Sequence, residues 1–377
     1  MKFLLIYVPN LRFSSFTDPF RIYTLKEVLQ RISFPVTVDE NKLYYQIGIR
    51  SHSKGIFYKE AEIGKQIGNK RIFWIEPNCL ILNIVFAWEQ AVAKTSEKEV
   101  GMVASHRFPM YKVLNNSLDY IVDFFKTEKG KQLLQMASPG GAGRNKTLNQ
   151  DFFLNSKIYL PSLNEQLKTS ELIELIEDRI ETQIKIINDY KLLKKYITKS
   201  FIKQKGTSYL LSEIAELGRG RVISSAEISK QKNPIYPVYS SQTSNNGVMG
   251  YLDNYDYEGE YITWTTDGAN AGTVYYRNGK FNCTNVCGIL KIKNGYDAYY
   301  ISNILNCHTK KYVSTNLANP KLMNNVMANI KINLPSIERQ KYFSNILKAI
   351  EYRVKIEQDI KLNLAKQKVF LLKNMFL

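Results

Sequence analysis

The sequence is short of the residues on which most catalysis rests. Its three histidines, His52, His106 and His308, are scattered too widely for an acid–base pair, and no Ser/His/Asp order is recognisable. There are four cysteines, Cys79, Cys283, Cys287 and Cys307. So few thiols in 377 residues exclude a disulfide scaffold and read as reduced side chains in a cytoplasmic protein. The spacing of Cys283, Cys287 and Cys307-His308 suits buried small thiols better than a zinc knuckle, so no metal is expected. Long apolar runs are missing too. Met1–Asn10 stops at Pro9 with no cleavage site after it, and Cys79–Trp88 is interrupted by Asn83, so neither a signal peptide nor a membrane span is expected. Gly218-Arg219-Gly220 lacks the third glycine of a dinucleotide loop, and no G-x-x-x-x-G-K-[ST] loop exists. A methyltransferase's N/D-P-P-aromatic motif is absent, and Glu40-Asn41-Lys42, the last part of a nuclease pattern, reads as a solvated turn. The chain is not expected to be an enzyme.

Acid is also scarce. Against 52 Lys and Arg stand 34 Asp and Glu, a net charge of +18 that points to a polyanion, most commonly nucleic acid. What the chain does have is apolar and aromatic material, with 44% hydrophobic residues, enough for two or three domains with proper cores.

The chain is written twice. Leu160-Pro161-Ser162-Leu163-Asn164-Glu165-Gln166 returns 174 positions on as Leu334-Pro335-Ser336-Ile337-Glu338-Arg339-Gln340. Leu148, Asn155, Lys157 and Ile158 recur as Leu322, Asn329, Lys331 and Ile332 at the same offset, and Ile176, Glu177 and Arg179 as Ile350, Glu351 and Arg353. Upstream, Leu25-Lys26-Glu27-Val28 echoes in Leu211-Ser212-Glu213-Ile214. A variable body followed by a shared tail is thus used twice, with pseudo-twofold potential and a period too long for a solenoid. Each tail predicts a long helix. Ser162 and Glu165 suit a capping box, of which Ser336 keeps half. A seam then runs through Ile173, Ile176, Ile180, Ile184, Ile187, Tyr190, Leu193, Ile197 and Phe201, with no Pro or Gly before Gly206. At 1.5 Å per residue this is a helix of about 60 Å, which needs a partner along its length. The second seam, Leu347, Ile350, Val354, Ile360, Leu364 and Leu371, loses register at Glu357. The two tails are predicted to pack as an antiparallel coiled coil.

The bodies are rich in short Tyr, Val, Ile, Phe and Thr runs: Tyr44–Ile49, Arg71–Ile75, Leu80–Phe86, Gly272–Tyr276 and Cys287–Ile292. Asn-Gly pairs at 246–247, 278–279 and 294–295 are hairpin signals. Between the runs lie polar loops whose chemistry is that of binding. Asn and Gln pair with adenine, and Arg and Lys with guanine or phosphate. The candidates in the second body are Ser241, Gln242, Thr243, Asn245 and Asn246 on one loop, Thr266 and Asn270 on another, and Lys321. In the first body they are Arg50, Ser51, His52 and Lys54, His106 and Arg107, and the glycine-flanked Arg144 and Lys146. An ordinary solvated loop is the bland alternative for each.

Taken together, the order of these phrases resembles the specificity subunits of type I restriction-modification systems. The resemblance is carried by the duplicated layout, by the repeated strand–Leu-Pro–Ser-x-x-x-Gln–helix phrase, and by the opening Val8-Pro9-Asn10-Leu11-Arg12-Phe13. Tyr236-Pro237-Val238-Tyr239-Ser240, Gly250-Tyr251 and Asp267-Gly268-Ala269-Asn270-Ala271-Gly272 add to it; the first body fits that pattern less well. It implies an α+β fold of two tandem α/β target recognition domains separated by long antiparallel coiled-coil helices. The expected layout is an arm over 1–20, a first recognition domain over 21–155 and a central helix over 156–205. A second domain over 206–332 and a C-terminal helix over 333–377 complete it. It further implies double-stranded DNA as ligand, read as a bipartite site. Two modification subunits would dock on the helices, and motor-nuclease subunits would join through them. S-adenosylmethionine, ATP and Mg would be held by those partners and not by this chain. The specificity subunit of another restriction system, or a coiled-coil protein that never meets DNA, are the alternatives.

Overall fold

The computed structural model describes residues 8–140, 146–314 and 319–377. The chain divides into two compact units, Met1–Gln183 with Ile360–Leu377, and Ile184–Asp359. The division falls inside both long helices, so each helix gives one half to each unit. Among the described residues no helix is long and apolar enough to cross a membrane.

In the first unit, strand Arg21–Thr24 pairs antiparallel with Lys157–Leu160. Between them in sequence lies a four-stranded antiparallel sheet, ordered Leu29–Ile32, Met110–Val113, Leu80–Leu82, Val92–Lys94. Helix Leu118–Lys126 covers it. Its N-cap Ser117 accepts the Tyr120 N–H at 3.2 Å, and Ile121, Phe124 and Phe125 go into the core with Leu80, Tyr111 and Phe153. The first long helix, Leu163–Ile202, begins directly after Pro161-Ser162. Leu372, Met375 and Phe376 close the same core, the Phe376 ring stacking on Tyr120 at 4.6 Å.

In the second unit, Thr207–Leu210 pairs antiparallel with Lys331–Leu334. A six-stranded sheet runs Ala215–Arg219, Cys287–Ile292, Tyr257–Thr265, Val274–Cys283, Tyr236–Tyr239, Val248–Leu252. It is antiparallel except where Tyr236–Tyr239 joins Val274–Cys283. Helix Ala298–His308 is capped by Asp297, whose Oδ1 accepts the Tyr300 N–H at 2.7 Å. The second long helix is Ile337–Asn374. Phe201 stacks on Phe343, ring centroids 3.8 Å apart, in a core with Leu211, Trp264, Tyr300 and Leu347.

The two units repeat one frame at several joints. Arg21 pairs with Leu160 and Thr24 with Lys157, as Thr207 does with Leu334 and Leu210 with Lys331. The carboxylate of Glu27 accepts the Thr24 N–H at 2.6 Å, and that of Glu213 the Leu210 N–H at 2.6 Å. Buried Gln166 accepts the Ser117 N–H (3.0 Å) and donates to Pro161 O (2.9 Å); buried Gln340 accepts the Asp297 N–H (3.1 Å) and donates to Pro335 O (2.8 Å). The repeated glutamine therefore locks the start of each long helix to the helix of its body. One ion pair also recurs, Lys368 to Glu177 (2.5 Å) and Lys194 to Glu351. Within the second unit, positions rise along the first long helix as their partners fall along the second, 194 with 351 and 201 with 343, so the pairing there is antiparallel. The α+β fold with coiled-coil helices is the architecture expected from the sequence.

Three local expectations are corrected. Glu165 does not serve as a simple capping-box partner of Ser162; its two carboxylate oxygens take Nε and Nη2 of Arg12 at 2.7 Å each, tying down the 8–20 arm. On the seam, Ile184, Leu193 and Ile360 are exposed, while Gln183, Thr198 and Glu357 are buried. Glu357 is accommodated by Arg353 one turn away at 2.5 Å, so the helix continues through the lost register. Asn278-Gly279 makes no hairpin turn. It lies within Val274–Cys283, where Gly279 (φ 103°) faces Gly259 (φ 107°) on the same rung, and two residues without Cβ let both strands kink together.

Candidate nucleic-acid interface

The second unit brings its two polar loops into contact. Both spring from the sheet, and Asn270 Nδ2 donates to Thr243 Oγ1 at 3.1 Å across them. Asn245 (φ 48°) and Asn246 (φ 54°) are both left-handed and lead into Gly247 (φ 82°), a conformation asparagine tolerates better than other side chains. It leaves the amides of Asn245 and Asn246 exposed. The loop closes with the Ser240 N–H donating to Gly247 O (2.8 Å) and Gln242 Nε2 to Val248 O. Ser241 is half-buried, Gln242 and Thr243 exposed.

Beneath this loop lies Arg277, which no motif in the sequence marks. It is buried at 7% exposure, its Cζ 3.5 Å from the centre of the Tyr239 ring and 4.4 Å from that of Tyr275. Nη2 donates to Asn246 O (2.8 Å) and Nε to Thr263 Oγ1 (3.2 Å). Burial lowers its pKa from the ordinary arginine value and the Tyr239 side chain opposes that fall; arginine keeps its charge at neutral pH regardless. The cation thus faces π-clouds and a carbonyl dipole, and no carboxylate bonds to it among the described residues. The sequence signal available was a lone Arg in a strand otherwise Tyr-rich, which looks like a surface position.

Of the remaining candidates here, Lys321 is half-buried and pairs with Asp267 at 3.6 Å, and the Gly268 N–H donates to Pro320 O (3.0 Å), tying the second loop to the segment before the tail. Thr266 is a correction. It is fully buried, its hydroxyl spent on Val286 O (2.9 Å) and the Asp267 carboxylate (2.6 Å), so it holds the loop and offers nothing to a ligand. Cys283 and Cys287 are buried in an apolar cluster with Phe281 and Ile289, and Cys307 is exposed.

In the first unit the short turn Ala87–Glu89 gathers two of the predicted sites. The Ser51 hydroxyl donates to Glu89 Oε2 (2.7 Å), the His52 N–H to Glu89 O (2.7 Å), and Lys146 Nζ lies 5.1 Å from the Trp88 ring. His52 (φ 60°) is exposed, as are Lys54 and Arg50, the last with its guanidinium 5.2 Å from the Phe57 ring. His106 sits apart from them. It lines a cleft of about 240 Å³ with Arg31, Arg71, Phe73 and Gln150, and Arg107 is exposed beside it. Arg31 and Arg71 belong to this basic cleft and were not anticipated, because each is an isolated arginine distant in sequence. Arg144 lies outside the described residues.

These loops belong to a frame with known relatives. The profile of the type I restriction modification DNA specificity domain matches residues 205–366. A putative type I specificity subunit of Mycoplasma pneumoniae is 37% identical over 199 residues, covering 52% of this chain and 82% of that one. A second, an N-terminal segment from the same organism, is 44% identical over 142 residues, 37% of this chain and 75% of that one. The type I restriction enzyme MpnII specificity subunit is 42% identical over 146 residues, 38% of this chain and 43% of its own. In fold, the S subunit of a type I restriction-modification system from M. genitalium superposes with a TM-score of 0.62 at 13% identity, covering 98% of this chain and 99% of that one. Sequence and fold converge on one conclusion: the chain belongs to the family of type I restriction-modification DNA specificity subunits, which are non-catalytic.

Proposed function

We propose that this chain reads a bipartite double-stranded DNA target through its two bodies and docks two modification subunits on its shared tails. The observation that carries the reading is a constant frame holding different loops. The strand register, the glutamine lock and the Glu–Lys pair recur in both units. The candidate reading surfaces share no side-chain pattern, with Asn245, Asn246 and Asn270 in one and Arg31, Arg71 and His106 in the other. A common frame suits a common partner met twice; unlike loops suit two different half-sites.

Support for docking comes from exposed apolar side chains on the paired helices. Leu175, Leu362, Val369 and Phe370 lie on them in the first unit, and Leu192, Leu193, Tyr196 and Tyr352 in the second. Apolar side chains of this kind mark a partner surface where they adjoin in one patch. Direct base contacts are assigned to Gln242, Asn245, Asn246 and Asn270, and to Arg50, His52, Lys54, His106 and Arg107; Ser241, Thr243, Ser51, Lys146 and Lys321 shape or position the loops. S-adenosylmethionine, ATP and Mg enter with the partner subunits, and motor-nuclease subunits join through the modification subunits, in the cytoplasm. Mapping methylated adenines across the genome with and without the gene tests this. One bipartite motif should lose methylation, and substituting Asn245, Asn246 and Asn270 with Ala should relax one half of it. A methylation map indifferent to the gene would sink the reading.

A further inference from the structure

The duplication supplies its own comparison, and one place fails to match. At the recurring ion pair, the first unit sets a cleft of mixed charge beside Glu177, in which Lys54, Lys94 and Lys98 meet acid. Lys126 bonds Asp123 (2.8 Å) and Glu177 (3.2 Å), and Asp119, Asp123 and Glu174 line the same cleft. The second unit surrounds Lys194 and Glu351 with more base. A cleft of about 410 Å³ between the first long helix and helix Ala298–His308 is lined by Lys191, Lys194, Lys195 and Lys199 on one wall and Asn303, Asn306 and Cys307 on the other, with no acidic side chain. Counting from the caps Ser117 and Asp297, Asn303 stands where the first unit has Asp123.

Both walls belong to stretches without acid. No Asp or Glu occurs from Tyr190 to Ser212, which holds six lysines, nor from Ala298 to Ile337. Lys194 is committed to Glu351. Lys191, Lys195 and Lys199 are exposed, and among the described residues no carboxylate pairs with them. At 3.6 residues per turn they fall within about 80° of one another on one helix face, with the exposed Leu192 at its edge beside Lys199 and Tyr196 and Leu193 farther round. Burial raises the Cys307 thiol, and the ammonium groups of Lys199, Lys194 and Lys195 work against that rise, which places the charges over the cleft.

We propose that this cleft in the second unit binds the phosphate backbone of DNA, without regard to sequence and apart from the reading loops. Point-charge ammonium groups with amide donors beside them suit phosphodiester oxygens. An acidic protein surface is the competing occupant. The lining argues against it, since the cleft presents ammonium groups, amides, the Thr198 hydroxyl and the Cys307 thiol and no large apolar side chain. The proposal rests on the reading that this chain meets DNA.

The test uses the full chain with its modification subunit and a fluorescent random-sequence duplex, with affinity measured over a series of KCl concentrations. Replacing Lys191, Lys195 and Lys199 together with Gln should reduce the slope of log K against log salt by about 0.9 for each phosphate no longer neutralised, hence by roughly 2 to 3. The triple Arg variant should restore it. Cys307, the one exposed thiol among the four, should react more slowly with a maleimide when the duplex is present. An unchanged slope in the Gln variant with Cys307 unprotected overturns the proposal. Loss of the modification subunit at unchanged slope also overturns it, in favour of an acidic protein partner. If the unsubstituted complex shows no salt-dependent DNA binding, the functional reading fails first and the cleft assignment falls with it.

Discussion

Arg277 is where the chemistry of single residues matters most. Its guanidinium stabilises a loop whose backbone holds two left-handed asparagines, a conformation that costs about 1–2 kcal/mol per residue for most side chains. Two hydrogen bonds and two cation–π contacts offset that cost, at about 1–2 kcal/mol each. Arg277→Leu should keep the sheet folded while freeing the loop. Hydrogen exchange at the Ser240 amide, which donates to Gly247 O, would then quicken by roughly tenfold or more, the equivalent of about 1.4 kcal/mol. Unchanged exchange would show that the loop holds itself. This is also the scale at which the sequence was least legible. Thr266 looked like a reader because it sits in a polar run, but Val286 and Asp267 close over it. Arg277 went unmarked because only Tyr275 is near it in sequence, while Tyr239 reaches it from another strand. Side-chain composition tells what a loop has, while burial, set by residues far away in the chain, tells what it offers.

Among elements, the paired helices hold to their bodies through buried charge. In the first unit Asp123, Lys126, Glu177 and Lys368 form one chain of alternating sign. Burial pushes the Asp123 carboxyl up to about 6 from its ordinary 3.8, with Lys126 pulling the other way. A carboxyl raised in the folded state binds its proton more tightly there than in the unfolded chain. Its contribution is therefore fully present below pH 3.8 and is lost as pH rises through about 6. Asp123→Asn removes that loss. Its melting temperature relative to the unsubstituted protein should rise between about pH 4 and pH 7, by an amount corresponding to at most about 3 kcal/mol. A difference that is flat with pH, measured by calorimetry, would contradict the assignment. The helices themselves were plain in the sequence, since forty residues without Gly or Pro leave little else. Their contact face was only partly so. A straight helix drifts against any fixed repeat, and here Gln183 and Thr198 come into the interface as Ile184 and Leu193 leave it.

For the whole molecule, the repeat was the most legible feature because it needs only self-comparison. Even the weak echo of Leu25–Val28 in Leu211–Ile214 marks the same helical turn after the same strand. What self-comparison could not show is that the first unit is completed by the second copy's tail. Leu372, Met375 and Phe376 belong to the core that Tyr120 and Phe125 begin. A chain ending at Asp359 should therefore lose its first unit to limited proteolysis while the second, which spans Ile184–Asp359, resists. Equal resistance of both units would show that the terminal segment is dispensable to the core.

That exchange sets a timetable for synthesis. The body made earlier carries an apolar floor around Tyr120 that stays uncovered until Leu372, Met375 and Phe376 arrive. A nascent chain of this kind has to wait, half-assembled, through the translation of an entire second body. In that interval it is exposed to chaperones, or to the emerging tail of a neighbouring polypeptide on the same messenger.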